Sequence, residues 1–389
     1  MSFASRWFGD QSRDTPSSFA GQWFSSFGPM TLQQEGVRVS GTYGQAGENT
    51  IEGSMENAHL VFRYAEERER GTGWFRLKRD NHFAGTYLAE GQSRPLPWRG
   101  WRGFDGLWDT SIGRVRVAQH AGAATAIHEY PAVNLQATFE NGRLVLAMTG
   151  ENIGGRGTAE LDPTGLTFTG EWQEPNQPTR PFSGQRVMPR PGLSWLVVLE
   201  AHWQRALDDA EFSFGKMLDE LFARLPRVQV RHRYYHDEGS LLHWCRQLLF
   251  VPDPIVLVIT GHGEANGLAV NGRIVPMRGI IDALRSADAL DLMHFSSCLV
   301  GLDSERAFGD IPFPISGYTT RIDWAESALT EFIYLDMMLE KGLPPAEAAE
   351  QLLRLVRFAG DEAIPGSPYH PAGFRFFAPA GEPGLQATS

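Results

Sequence analysis

Cysteine is almost missing from this chain: Cys245 and Cys298 are the two in 389 residues. Two thiols cannot build the disulfide framework of a small secreted scaffold, and their scarcity points to a reducing, cytoplasmic setting. Long apolar runs are lacking as well. The longest, such as 195–199 and 255–259, fall far below the roughly 20 residues that cross a bilayer, so no membrane partner is expected. Residues 1–8 lack the apolar core of a secretory signal. Positive charge is not in excess. With 35 Lys and Arg against 46 Asp and Glu the net charge is −11, which argues against nucleic acid as a partner.

What is present is apolar content of 42%, enough for real cores, in a chain long enough for two or three domains. The charge is uneven: residues 191–389 hold 16 basic against 26 acidic residues, so the second half carries most of the negative excess. An acidic cleft there would favour cationic substrates.

The first half repeats itself. Phe19-Ala-Gly-Gln-Trp23 matches Phe104-Asp-Gly-Leu-Trp108, and Gly85-Thr-Tyr87 matches Gly170-Glu-Trp172. In both copies the two Gly-x-aromatic motifs lie 64 residues apart, and Trp98-Arg-Gly100 aligns with Phe182-Ser-Gly184. Spacing kept across several motifs marks a duplication. Each copy alternates apolar and polar residues, as in 36–43, 58–64 and 137–149, with turns at Asn141-Gly142 and 162–165. The expectation is an antiparallel all-β region built from a duplicated unit of about 85 residues, over 19–103 and 104–190, after an N-terminal tail 1–18. It would form two small barrels or sandwiches, or one closed sheet made of both copies. Its aromatics are expected to be core, with a ligand cavity as the alternative.

After Pro189-Arg-Pro-Gly192 the texture changes. Strands are expected at 195–199, 228–235, 254–260, 292–296, 313–318 and 374–377, a small hairpin at 268–275 around Asn271-Gly272, and helices at 203–225, 238–249, 277–286, 323–340 and 345–358. Apolar strands separated by helices predict an α/β domain over 191–380, with a mostly parallel sheet flanked by helices and a flexible tail 381–389. Ligands bind such sheets at the carboxyl ends of their strands. That rule selects Gly261-His262-Gly263, Ser296-Ser297-Cys298 and the stretch 319–323.

A thiol enzyme needs a thiolate, a nearby imidazole and an oxyanion hole. His262 and Cys298, 36 residues apart, close two strands on one sheet edge. Cys298 is the candidate nucleophile and His262 the candidate acid/base. Backbone N–H groups of Gly263 and Cys298 are candidates for the oxyanion hole. Two ligands are too few for a metal, and no cofactor is expected. Cys245, beside Trp244 in a helix, reads as structural; His294 reads as packing within its strand; Ser296 and Ser297 read as turn residues.

At these residues the sequence resembles the caspase-like cysteine peptidases, and within them the bacterial CHAT branch, over roughly 193–380. That family shows an apolar strand ending in His-Gly, a short hairpin, a helix, then an apolar strand ending in Ser-Ala-Cys. Here the corresponding stretches are 255–263, 268–275 and 292–298. The stretch 317–325 resembles the family's strand and loop, with an Asp opening the next helix. Thr319 stands where the family often has Trp, and Leu299 where it often has Glu. The resemblance implies cleavage of peptide bonds, often after a basic P1 residue held in an acidic S1 pocket. Asp323 is the candidate for that pocket, with Glu326 one turn later; Asp323 would equally suit a helix N-cap. The expected partner is a protein or peptide substrate, with the β region as a regulatory or docking module that binds a partner or activator. The alternatives are a catalytically silent scaffold whose β repeats bind a ligand or partner, and a non-proteolytic thiol enzyme.

Overall fold

The structure is a computed structural model that describes residues 18–56, 59–79, 81–120, 123–151, 154–190, 192–202, 208, 212–300, 311, 313–322, 324–359 and 373–378. The chain divides between residues 191 and 192 into two units.

In the first unit, eight strands form a closed antiparallel barrel: β1 (Gly21–Ser25), β2 (Gly28–Glu35), β3 (Arg38–Tyr43), β4 (Asn49–Glu56), β5 (His59–Ala65), β6 (Arg70–Arg79), β7 (His82–Ala89) and β8 (Leu96–Trp101). β8 closes onto β1 through Phe24↔Trp101 and Ser25↔Gly100. Alternation builds it. In β5, Leu60, Phe62 and Tyr64 point inward while Val61, Arg63 and Ala65 point out. The inward set of all strands packs as one cluster with Trp23, Phe75, Phe83 and Trp98.

The second copy repeats this with β9 (Gly106–Thr110), β10 (Gly113–His120), β11 (Ala123–His128), β12 (Asn134–Glu140), β13 (Arg143–Thr149), β14 (Gly154–Leu161), β15 (Thr167–Gln173) and β16 (Arg180–Arg186). The order is that of the first barrel, cut between β11 and β12, which lie side by side without a ladder. Of the architectures open to the sequence, the structure therefore takes two eight-stranded sheets, one per copy.

The duplication extends to single hydrogen bonds. Trp23 Nε1 donates to the Phe19 carbonyl at 2.8 Å, and Trp108 Nε1 to that of Phe104 at 2.8 Å. Gln34 accepts from the Phe19 N–H and Gln119 from the Phe104 N–H, both at 2.9 Å. Arg102 lies 3.8 Å over the Trp23 ring and Arg186 lies 4.3 Å over that of Trp108. The glycine inside each Phe-x-Gly-x-Trp motif has a positive φ, +116° at Gly21 and +126° at Gly106, which only glycine adopts without strain.

In the second unit, a six-stranded sheet runs in the order β18 (Val228–Tyr235), β17 (Ser194–Ala201), β19 (Ile255–Thr260), β23 (Leu290–Ser296), β24 (Ile315–Tyr318), β25 (Phe374–Phe377). The first five are parallel and β25 is antiparallel, so the sheet is mixed. β19 is buried at every residue, as a strand covered on both faces must be. Leu196, Val198, Val256, Val258 and Leu292 share one core with α1 (Phe214–Phe222), α4 (Trp324–Leu339) and α5 (Pro345–Ala359). Residues of the opposite parity, such as Leu199, Leu257, Ile259 and Phe295, are equally buried, as are the inner faces of α2 (Glu238–Gln247) and α3 (Met277–Leu284), which pack together. A three-stranded meander, β20 (His262–Glu264), β21 (Gly267–Val270) and β22 (Arg273–Pro276), joins β19 to α3. The first helix is shorter than the 203–225 expected. It starts at Phe214 because Ser213 caps it, accepting from the Lys216 N–H at 3.0 Å. Most of 203–211 lies outside the described residues.

Candidate functional site

The parallel register decides what meets at the carboxyl edge of the sheet. β19 pairs with β23 so that Thr260 faces Ser296. Two residues further along the chain from each come His262 and Cys298, just past the ends of these neighbouring strands. Across the other side of β19, Thr260 faces Glu200 of β17, and Ala201 faces Tyr235 of β18. The same edge therefore carries His202 and His236 beyond their strand ends, with ring centroids 5.6 Å apart. The chain order in the sheet reverses between β17 and β19, and crevices for ligands open at such switch points. His262 borders it.

His262 opens β20, paired with Ala269, and its side chain is exposed. Cys298 is half-buried. The backbones of Gly263 and Cys298 touch: a Cβ at 263 would overlap the Cys298 carbonyl oxygen and lie 2.8 Å from its nitrogen. The sequence assigned Gly263 to leaving an N–H available. The structure adds a second reason for glycine there, the close approach of the Cys298 loop.

The thiol is held from the far side. Its Sγ accepts from the Ile322 N–H at 3.4 Å, and the Leu299 N–H donates to the Thr320 carbonyl at 3.0 Å. Leu299 has φ +60°, the left-handed region, at a cost of about 1–2 kcal/mol for a side-chain-bearing residue. This bend turns the chain sharply away after Cys298. Ser297, just before it, is buried, and its hydroxyl has no hydrogen-bond partner among the described residues.

Asp323 lies outside the described residues; it follows Ile322 directly in the chain. Glu326 lies in α4, and its side chain is likewise outside the described set. The structure therefore brings together His262, Gly263 and Cys298 and leaves the two S1 candidates undescribed. Cys245 is fully buried in α2, and burial pushes its thiol from 9.0 up to about 12, consistent with a structural role.

Sequence reasoning missed two groups. Ile322 contributes through its backbone, which no side-chain motif reveals. His294, read as packing within its strand, is buried there, and it also takes part in a polar network with Ser316, Tyr318 and Glu331 that the sequence did not indicate. A second buried carboxylate, Glu200, accepts from Ser213 Oγ at 2.6 Å and from the Phe214 and Gly215 N–H groups, and so anchors the start of α1 to β17. Among the described residues, no group of three or more His, Cys, Asp or Glu is placed to hold a metal ion.

No family model and no curated protein matches the chain. Among solved structures, an intact two-lobed protein titled Ap-TbpB is 10% identical, with a TM-score of 0.15, over 41% of this chain and 38% of that one. A Myxococcus xanthus hemagglutinin, solved with a mannopentaose, is 12% identical, with a TM-score of 0.12, over 46% of this chain and 96% of that one. Likeness at this level assigns neither fold nor function.

Proposed function

We propose that the second unit is a caspase-like cysteine endopeptidase of the CHAT type, with Cys298 as nucleophile and His262 as acid/base. One observation carries the reading: the Thr260↔Ser296 register sets His262 and Cys298 side by side at the carboxyl edge of a largely parallel sheet, with the Gly263 backbone against that of Cys298. The order of parts between them, a strand, His-Gly, a meander, a helix, a strand and Ser-Ser-Cys, supports the resemblance.

In this scheme His262 takes the Cys298 thiol proton as Sγ attacks the scissile carbonyl carbon, and the carbonyl electron pair moves to oxygen, which the N–H groups of Gly263 and Cys298 receive. Collapse breaks the C–N bond, and the imidazolium of His262 gives its proton to the leaving amine. Neutral His262 then takes a proton from water, whose oxygen displaces the thiolate and frees the acid product. The Ile322 N–H donates to Sγ at 3.4 Å and holds it in place. A basic P1 residue is part of the proposal: Asp323 is bonded to the residue whose N–H touches Sγ, and Glu326 follows within one turn. Arg would pair with such a carboxylate bidentately and Lys as a point charge. The β barrels are proposed to dock substrate or an activator.

A fluorogenic peptide library scanned at P1 tests this. Turnover after Arg or Lys is expected in the wild type, none in Cys298→Ala, and loss of the basic preference in Asp323→Ala. Undiminished turnover by Cys298→Ala refutes the nucleophile; an unchanged Arg preference in Asp323→Ala moves the S1 pocket elsewhere.

A further inference from the structure

Beneath the Cys298 loop, three elements meet at one buried polar node. His294 of β23 and Glu331 of α4 are both fully buried, with Nε2 and Oε1 3.3 Å apart, too oblique for a hydrogen bond but close for an ion-pair contact. His294 Nδ1 lies 2.8 Å from Ser316 Oγ, and the Tyr318 hydroxyl donates to Glu331 Oε1 at 3.1 Å; both partners belong to β24. Tyr318, Tyr334 and Phe374 pack their rings around the imidazole at 5.9–6.2 Å. Glu331 Oε2 is buried without a hydrogen-bond partner among the described residues.

Such a node is a poor source of stability. Removing two ionisable groups from water costs several kcal/mol each, and apolar pairs of similar volume commonly hold a core as well or better. What the node does have is position. Four residues after His294 comes Cys298. Two residues after Tyr318 comes Thr320, whose carbonyl takes the Leu299 N–H, and two later Ile322, whose N–H meets Sγ. The chain then enters the helix that carries Glu331. The two strands and the helix that frame the Ile322 contact all pass through the node.

We infer that His294 and Glu331 are positioning residues for Cys298, locking β23, β24 and α4 in the register that sets the Ile322 N–H on the thiol. The inference rests on Cys298 being the reactive thiol of the proposed enzyme, but its readout is the thiol and not peptide cleavage. Failure of the inference and failure of the peptidase reading are therefore told apart. The pair would act through this backbone contact and never touch substrate.

The test is the pH–rate profile of alkylation of Cys298 by iodoacetamide in the full chain, beside thermal unfolding, for Glu331→Gln, Tyr318→Phe and the apolar pair His294→Leu/Glu331→Leu. Loss of the Ile322 contact, which holds Sγ in place, moves the profile and slows alkylation at pH 7 by about tenfold in the apolar pair. Tyr318→Phe, which removes a single hydrogen bond, should shift it in the same direction by less. A purely structural role would move the melting temperature and leave the alkylation profile of the folded protein in place. Wild-type profiles in folded Glu331→Gln and Tyr318→Phe overturn the inference. If the apolar pair does not fold, Tyr318→Phe alone decides.

Discussion

Gly263→Ala is the sharpest probe of the site, because it replaces a hydrogen by a methyl group where two site backbones touch. The added methyl would overlap the Cys298 carbonyl oxygen and stand 2.8 Å from its nitrogen and 2.9 Å from its carbonyl carbon. Ordinary contact begins near 3.4 Å, so the nitrogen must retreat by about 0.6 Å and the oxygen by more. All three atoms are backbone, so no side chain can swing aside to absorb the change. Gly263 has no positive φ, so alanine is allowed by its backbone, and the stiffer unfolded chain returns about 0.4–1 kcal/mol. Overpacking of this kind costs about 1–3 kcal/mol, which leaves a folded but less stable protein. The larger effect falls on chemistry, since a misplacement of about 1 Å at a reacting group costs about 100-fold in rate. kcat/KM for peptide cleavage should drop by about that factor while the melting temperature falls by a few degrees. Gly279→Ala is the control: an added Cβ there meets nothing within 4 Å, and it lies in α3, where alanine is favoured over glycine by about 0.5–1 kcal/mol. It should stabilise the protein and leave activity alone. Full activity in Gly263→Ala would refute the contact between the two loops as a determinant of the site.

The buried thiol of Cys245 gives a pH signature. Its folded-state value of about 12 lies above its ordinary 9.0, so the native chain keeps a proton that the unfolded chain loses between these values; stability is fully present below pH 9 and lost as the pH rises towards 12. Denaturant unfolding across pH 9–12 should show a slope smaller by one proton in Cys245→Ala, and an unchanged slope counts against burial of the thiol. In the second barrel, Arg186→Lys should destabilise the first unit by about 2–4 kcal/mol, since lysine keeps the buried charge but loses the stack on Trp108 and the donors to the Gly165, Asp105 and Gly103 carbonyls. A chemical-denaturation midpoint equal to wild type would sink that reading.

Much of this architecture was legible because its causes are local. The 64-residue spacing of the Gly-x-aromatic motifs exposed the duplication, and the structure returns it as matched bonds from Trp23 and Trp108. Val228–Tyr235 forms a strand over the residues that its composition indicated. The hairpin around Asn271-Gly272 forms because that pair supplies two residues of positive φ in sequence, +48° and +74°. What was not legible depends on pairing between distant segments. Nothing in the sequence around Glu331 says that it will face His294, 37 positions earlier, because the contact exists only once α4 lies on the sheet. The contribution of Ile322 was hidden for a different reason: it is a backbone N–H, and isoleucine is merely the residue that carries it. Where helix 203–225 was expected, periodicity outran the capping signal, and Ser213 sets the start of the described helix.

The filled interiors of the barrels limit what the first unit can do. Eight strands enclose a space just wide enough for side chains. In the first barrel Phe62, Phe75, Phe83 and Trp98 occupy it in a chain of ring contacts, with Phe62–Phe75 and Phe75–Phe83 centroids each 4.3 Å apart. A Cβ at Gly100 would overlap the Phe83 ring, and at Gly184 that of Phe168, so each copy has even removed side chains to admit its aromatics. Opening a cavity for a ligand would mean displacing rings whose burial is worth about 1.5–3 kcal/mol each. A partner of this unit therefore has to be met on outer strand faces and loops. The exposed apolar residues Val37, Val61 and Tyr130 are the kind of handle that such a surface offers, and the inward aromatics are not.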